Sequence, residues 1–120
     1  MSKLGVRIKR VYEPAEAGDG TRILIDRLWP RGLSKEKAAV DRWEKDLAPS
    51  AELRKEFDHR PERFDDFRTK YLKELEPAWD VVESIAAEAE NGQVTIVYGA
   101  REERYNNAVV LLEAIEGIRK

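Results

Sequence analysis

Cysteine is absent from the sequence, which excludes disulfide bonds, thiol catalysis, zinc fingers and iron–sulfur clusters. Histidine occurs once, at His59, so neither a histidine-rich metal site nor a serine–histidine–aspartate triad is expected. One histidine can still act as an acid or base. A glycine-rich phosphate loop, a metalloprotease motif and an EF-hand loop are also missing. We therefore predict no metal and no cofactor.

Long apolar stretches are missing too. Residues 23–25 and 108–112 are among the longest uninterrupted apolar runs, far short of the roughly 20 residues that a membrane span needs. Residues 1–7 contain no apolar core of signal-peptide length. We therefore expect a cytoplasmic protein that does not contact a membrane.

Net charge is small, because 22 Lys and Arg residues nearly balance 24 Asp and Glu residues, giving −2. Binding to nucleic acid through overall charge is therefore disfavoured, which leaves binding through a local basic patch open. Charged residues make up 38% of the 120 residues, against only seven glycines and five prolines. These values are typical of one helix-rich globular domain, spanning residues 1–120, that buries a core without a metal or disulfide. They predict no oligomeric state.

Four segments have the character of β-strands. Alternation of apolar and charged residues over residues 6–12 predicts a first strand. The continuous apolar run at residues 23–25 is typical of a central strand covered on both faces. Residues 40–45 are ambiguous between helix and strand but favour a short strand, and residues 94–98, rich in β-branched and aromatic side chains, predict a last one.

Helix signals fill most of the remaining chain. Ser34 and Ser50 are each placed to cap a helix, the first running to about residue 39 and the second over residues 51–57. Pro61 predicts the start of the longest helix. Its expected buried stripe consists of Phe64, Phe67, Tyr71 and Leu75.

Proline and acidic residues set the limits of the later helices. Pro77 predicts either a kink or a division into two helices at this point. The last helix is expected to begin at Glu102 or Glu103 and to end at Ile118.

This order of elements predicts an α/β fold: a single small domain with a mostly parallel central sheet and helices packed around it. Only about nine residues separate the first two strands, too few for a usual helical crossover. These strands could therefore form a hairpin, or be joined by a tight irregular connection. We also expect residues 23–25 and 94–98 to lie in neighbouring parallel strands at the centre of the sheet.

Polar clusters follow three of the predicted strands, at residues 26–35, 45–54 and 98–107. Ligands in open parallel sheets bind outside the carboxyl ends of the strands, so these clusters should converge at one edge. The basic residues suit a phosphate or carboxylate, the helix start at Ser50 offers backbone N–H groups, and the tryptophans offer a flat surface. The predicted ligand-binding residues are Arg27, Trp29, Arg31, Lys35, Trp43, Lys45, Ser50, Arg54, Arg101 and Asn107.

Asp26 and His59 are the candidate acid or base residues of this edge. Structural explanations stand beside these functional ones. Trp29 and Trp43 could be core anchors, Ser50 a helix cap alone, and His59 a residue of a helix joint. Arg27 and Arg31 could likewise be paired with internal carboxylates in a rigid loop. These alternatives stay open at the level of sequence.

Residues 25–32 read Ile-Asp-Arg-Leu-Trp-Pro-Arg-Gly, and this string with its surroundings resembles the YeaO-type branch of the domain of unknown function 488. Further matching residues are Ser34, Lys35, Trp43, Lys45, Leu47, Ala48, Pro49, Ser50, Leu53, Arg54, Phe57, His59, Pro61, Phe67, Tyr71, Glu74, Leu75, Val94, Thr95, Ala100, Arg101, Asn107 and Ala108. The resemblance covers essentially the whole chain. It implies a small bacterial or archaeal cytoplasmic protein with an α/β fold and no established reaction.

The function expected from these residues is the binding of a small phosphorylated or nucleotide-like anion by loops at the carboxyl ends of the strands. The residues do not decide whether a reaction follows binding. Two other functions use the same basic loops: a nucleic-acid-binding module and a regulatory protein-interaction domain.

Overall fold

One parallel sheet organises the protein. A computed structural model describes residues 5–118 and contains four strands: β1 (Val6–Arg10), β2 (Thr21–Leu24), β3 (Arg42–Trp43) and β4 (Val94–Tyr98). Their order is β1-β4-β2-β3, and all neighbouring pairs are parallel. The predicted α/β fold is therefore confirmed, and so is the central pairing of β2 with β4.

The hairpin alternative for the first two strands is wrong. β4 lies between β1 and β2, so the connection at residues 11–20 crosses one face of the sheet back to its opposite end. Gly20 allows the tight return, since its φ is 63° and a Cβ would lie 2.0 Å from the Gln93 carbonyl oxygen. The irregular connection, which includes a 3-10 turn at Ala17–Asp19, is the arrangement that forms.

The described residues form five α-helices: α1 (Lys35–Ala38), α2 (Ala51–Phe57), α3 (Phe64–Glu74), α4 (Trp79–Asn91) and α5 (Asn107–Ile118). Ser34 and Ser50 cap α1 and α2, each accepting a backbone hydrogen bond at 3.1 Å. The chain divides near Pro77, where a 3-10 turn at Glu76–Ala78 separates α3 from α4. Pro61 likewise begins a 3-10 turn, which leads into α3.

Two helix predictions need correction. The helix after Pro61 is not the longest, because α4 is 13 residues long and α3 is 11. The last helix begins at Asn107 instead of Glu102 or Glu103, because Asn106 acts as its cap. The Asn106 Oδ1 atom accepts a hydrogen bond from the Val109 N–H at 2.9 Å.

Two layers cover the sheet. Helices α3, α4 and α5 bury the face that carries Ile23 and Ile96, together with the predicted stripe of Phe64, Phe67, Tyr71 and Leu75. The opposite face, which carries Leu24 and Val97, packs against Ala38 of α1 and against partly buried residues that include Trp29 and Trp43. The stripe is buried as predicted.

A buried carboxylate anchors the crossing connection to this second face. Asp19 is fully buried and forms ion pairs with Arg22 at 2.6 Å, Arg7 at 2.5 Å and Lys9 at 3.1 Å. Its backbone oxygen also accepts a hydrogen bond from the Thr95 hydroxyl at 2.7 Å. Three cations around one carboxylate thus fix the loop across β1, β2 and β4, a role that sequence reasoning missed.

Candidate functional site

The site lies at the carboxyl ends of the neighbouring strands β2 and β4, after which the chain continues on opposite faces of the sheet. After β2 the chain runs to α1, which packs on the face of Leu24 and Val97. After β4 it runs to α5, which packs on the other face. Such a divergence opens a crevice beyond the carboxyl ends of parallel strands. Here it contains a pocket of about 310 Å³.

Asp26 and Gly99, the residues just beyond β2 and β4, meet on one side of this pocket. The Gly99 N–H donates to Asp26 Oδ2 at 2.8 Å. Burial raises the pKa of Asp26, while the Gly99 N–H, the Arg54 guanidinium and the Asn107 side chain favour the ionised form and partly oppose that rise. The predicted convergence of residues 26 and 99 at one edge is confirmed.

Asn107, the first residue of α5, lines the pocket together with Asp26. Its side chain lowers the pKa of Asp26 and also that of the buried Tyr71. The Tyr71 hydroxyl donates to the Leu47 carbonyl at 2.5 Å. Burial outweighs the other effects and raises the pKa of Tyr71 above its usual value. We call Asp26, Gly99 and Asn107 the pocket floor.

Basic side chains also line the pocket: Arg27, Arg54 and His59. Among residues 5–118, neither Arg27 nor Arg54 forms an ion pair with a carboxylate. His59 follows Asp58 at the end of α2, and both residues have left-handed backbones, with φ of 53° and 49°. This turn, unusual for residues other than glycine, places His59 at the pocket.

The structure thus brings together only part of the predicted site. Asp26, Arg27, Trp29, Arg54, His59 and Asn107 line the pocket. Six other candidates do not line it, namely Arg31, Lys35, Trp43, Lys45, Ser50 and Arg101. Arg31, Lys35 and Arg101 are exposed, and the Arg31 carbonyl accepts a hydrogen bond from the Tyr12 hydroxyl at 3.0 Å.

Trp43 does not line the pocket and instead contacts the backbone of the loop that contains Asp26. Its indole N–H donates to the Asp26 carbonyl at 2.6 Å, and its ring packs edge-on against Trp29 with centroids 5.4 Å apart. The Lys45 ammonium lies over the Trp43 ring, 4.1 Å from its centroid. Trp43 therefore holds the backbone that carries Asp26, in line with the anchoring alternative.

Ser50 is occupied by an internal carboxylate. Its backbone N–H and its hydroxyl donate to the two Glu74 carboxylate oxygens at 2.8 Å and 2.7 Å. The start of α2 had looked suited to an anion, and Glu74 from α3 already supplies one. The Ser50 hydroxyl also accepts a hydrogen bond from the Leu53 N–H. These hydrogen bonds are explained by the structural role of Ser50 as the cap of α2.

Comparison with known proteins places the chain in a family. The model of the inactive DUF488-N3 subclade matches residues 5–119. The chain belongs to the DUF488 family. It is 40% identical over 115 residues to the uncharacterized protein YeaO of Escherichia coli K12, covering 96% of this chain and 100% of YeaO. It is also 40% identical over 112 residues to an uncharacterized protein of Mycobacterium tuberculosis H37Rv, covering 93% and 94% of the two chains. No solved structure matches it significantly. The predicted resemblance to the YeaO-type branch of this family is thereby confirmed.

This DUF488 protein lines its pocket with aromatic residues that sequence reasoning missed as site residues: Tyr12, Phe57 and Tyr105. Leu28 also lines the pocket and is 71% exposed. The signal available from the sequence was the place of Leu28 in the loop of residues 25–32, directly after Asp26 and Arg27. Tyr105 carried no such signal, because the region before α5 was expected to be helical.

Two kinds of feature, a membrane-spanning helix and a metal-binding cluster, are not found in the described part of the chain. Within residues 5–118 no helix combines the length and apolar character needed to cross a membrane. In the same part of the chain, no three His, Asp or Glu side chains come together in a way that could hold a metal ion.

Proposed function

We propose that the pocket binds a small phosphorylated, nucleotide-like anion and performs no chemistry on it. The observation that carries this proposal is the pair of guanidinium groups, Arg27 and Arg54, that line one pocket and form no ion pair with a carboxylate among residues 5–118. The Asp26 carboxyl, which lines the same pocket and acts on Arg54 at longer range, can balance at most one of the two charges. Two like charges facing one cavity repel each other unless an anion lies between them. Arginine is also the side chain best suited to bind phosphate oxygens in pairs.

The remaining wall of the pocket suits the rest of such a ligand. Tyr12, Trp29, Phe57 and Tyr105 provide apolar and aromatic surface against which a ring can pack. The volume of about 310 Å³ is at the lower end of the range of roughly 300–1,000 Å³ for small-molecule sites. A mononucleotide combines the two properties, a flat ring and a phosphate.

A binding role without catalysis is supported by the family, whose matching subclade is described as inactive. Under this proposal Asp26 and His59, the candidate acid and base, contact the ligand as hydrogen-bonding groups. The proposal therefore predicts saturable binding of the nucleotide with no conversion of it, measured by nuclear magnetic resonance of the ligand over hours.

The test compares Arg27→Ala and Arg54→Ala with Arg31→Ala, an arginine of the same loop that does not line the pocket. The probes are inorganic pyrophosphate, ribose 5-phosphate and nucleoside monophosphates at millimolar concentration. Because a bound ligand stabilises the native state, at least one probe should raise the melting temperature of the unaltered protein. The two pocket variants should lose this rise and Arg31→Ala should keep it. Absence of any rise with the unaltered protein overturns the proposal.

A second candidate, binding of single-stranded nucleic acid, is favoured by one observation. Leu28, 71% exposed at the pocket, lies beside Arg27 and close in sequence to the exposed Arg31 and Lys35. In that case Arg31→Ala would weaken binding of an oligonucleotide, and binding would fall steeply with salt. Loss of binding in Arg31→Ala as large as in Arg27→Ala would therefore favour this candidate over the mononucleotide.

A further inference from the structure

Two exposed apolar side chains lie at the pocket. Among residues 5–118, Leu28 and Tyr12 are the large apolar side chains that stay exposed, at 71% and 42%. Single exposed apolar residues are ordinary on a protein surface. Here both line the same pocket, although one belongs to the loop after β2 and the other to the connection after β1. Their place in one site therefore points to a common role.

The exposure of Leu28 follows from the anchoring of its loop. The Trp43 indole N–H donates to the Asp26 carbonyl at 2.6 Å. The Trp29 ring packs edge-on against the same Trp43 ring, with centroids 5.4 Å apart. Trp43 thus holds the loop on both sides of Arg27 and Leu28, and these two residues are exposed between the anchored positions.

Tyr12 provides a fixed, flat surface beside this loop. Its hydroxyl donates to the Arg31 carbonyl at 3.0 Å, and the Arg10 guanidinium lies over its ring, 5.4 Å from the centroid. The ring also reaches the pocket floor, since a Cβ at Gly99 would lie 3.9 Å from Tyr12 Cε2. The Tyr12 side chain therefore extends from the floor to the outer part of the loop, and its contacts reduce the ordering that binding requires.

The size of the pocket separates what lies inside it from what lies beyond it. Its volume of about 310 Å³ is at the lower end of the range of roughly 300–1,000 Å³ for small-molecule sites, and a second nucleoside has to lie outside. Arg27 directly precedes Leu28, so apolar surface begins beside one of the two guanidinium groups assigned to the anion. A group attached to the far side of a bound phosphate would meet Leu28 and Tyr12.

We propose that Leu28 and Tyr12 bind a second nucleoside, joined to the first through a pyrophosphate bridge, so that the ligand is a dinucleotide. The inference rests on the proposed binding of a nucleotide-like anion. The bridge carries one negative charge on each phosphate, which matches the pair of guanidinium groups of Arg27 and Arg54. The first base packs in the aromatic pocket, and the second packs with its flat face on the exposed pair.

Calorimetric titration compares P1,P2-di(adenosine-5′) diphosphate with adenosine 5′-diphosphate, which lacks only the second adenosine. Adenine serves as the base because stacking on an aromatic side chain tolerates any base. The dinucleotide should bind about tenfold more tightly, within the usual effect of one stacked base. Charge alone would favour the opposite order, because the terminal phosphate of adenosine 5′-diphosphate carries the greater negative charge.

Variants of the exposed pair assign the effect to these residues. Leu28→Ser should lower the affinity for the dinucleotide to that for adenosine 5′-diphosphate and leave the latter unchanged, whereas Leu28→Met should keep the preference. Tyr12→Ala should reduce the ratio of the two affinities, and Tyr12→Phe, which retains the ring, should preserve it. Because Leu28 is 71% exposed, its variants should keep the melting temperature of the unaltered protein.

The outcomes separate this inference from the proposed function. Equal affinities for the two compounds overturn the second nucleoside while the anion site remains. If neither compound binds, the proposed function falls and the second nucleoside with it. A preference that persists in Leu28→Ser, at an unchanged melting temperature, also overturns the inference. Tighter binding of a five-residue oligoadenylate than of the dinucleotide would overturn it in favour of a nucleic-acid strand.

Discussion

The Gly99 N–H donates to the Asp26 carboxylate at 2.8 Å, joining the carboxyl ends of β2 and β4 across 73 positions of sequence. Behind it, the Trp43 indole holds the Asp26 carbonyl at 2.6 Å. Asp26 is therefore fixed through both its side chain and its backbone. The pocket floor is built before any ligand arrives, which reduces the ordering that binding requires.

Replacing Gly99 tests this contact directly. A Cβ at position 99 would lie 2.9 Å from Asp26 Oδ2, so Gly99→Ala should push the carboxylate away from the N–H. Because that N–H favours the ionised form, its loss should raise the pKa of Asp26 further. Nuclear magnetic resonance titration of the Asp26 carboxyl carbon measures the change. Gly92→Ala, where a Cβ meets nothing within 4 Å, is the control, and an equal pKa in both variants would contradict the prediction.

Asp26→Asn should stabilise the protein at neutral pH. Burial raises the pKa of Asp26, so the folded state disfavours the carboxylate relative to the unfolded chain. Such a group supports folding below its unfolded pKa, about 3.9, and this support is lost as pH rises through the folded pKa. The neutral amide avoids this loss and can still accept from Gly99. Thermal unfolding at pH 7 should give a higher melting temperature for the variant, with the difference shrinking towards pH 3. A lower melting temperature at pH 7 would contradict this.

The central part of the fold was predictable because its signals are local. The apolar run at residues 23–25 and the β-branched strand at 94–98 identify the buried strands, and a sheet of parallel strands then brings Asp26 and Gly99 to one edge. Ser34 and Ser50 marked helix starts through the chemistry of their hydroxyls. These features depend on residues that are neighbours in sequence, or on one rule of topology.

The rest depends on contacts between distant residues. Nothing near Ser50 shows that Glu74, 24 positions away, occupies its N–H and hydroxyl. The placement of β4 between β1 and β2 depends on the approach of Gly20 to Gln93. For the same reason, fewer residues line the pocket than the sequence predicts. A cluster of basic residues in the sequence does not show which side chains face a common cavity.

Phe67→Ala should destabilise the protein by roughly 3–5 kcal/mol, the usual cost of truncating a core phenylalanine. Phe67 is 3% exposed and stacks on Phe57 and Tyr71, with ring centroids 4.6 Å and 5.5 Å away. Urea unfolding monitored by circular dichroism measures the loss. Lys73→Ala, at an exposed position of the same helix, should change the free energy of unfolding by less than about 0.5 kcal/mol. A loss below about 1 kcal/mol for Phe67→Ala would show that Phe67 and its stripe on α3 contribute little to the stability of the core.

Asp19→Asn should destabilise the protein by about 3–5 kcal/mol, because it leaves the buried Arg22 without its carboxylate and removes one ion pair each from Arg7 and Lys9, of which Lys9 keeps its pair with Glu16. Burial alone would raise the pKa of Asp19, but the Glu16 N–H and the three cations outweigh it and hold that pKa well below its usual range. This stabilisation is therefore complete above the unfolded pKa of about 3.9 and declines as pH falls below it.

Urea unfolding at pH 7 and pH 3 should show a lower free energy of unfolding for Asp19→Asn than for the unaltered protein, with a smaller difference at pH 3. Asp46→Asn, at an exposed aspartate without an ion pair among residues 5–118, should show no deficit at either pH. Equal stability of the two variants at pH 7 would mean that the loop crossing the sheet does not depend on the Asp19 ion pairs.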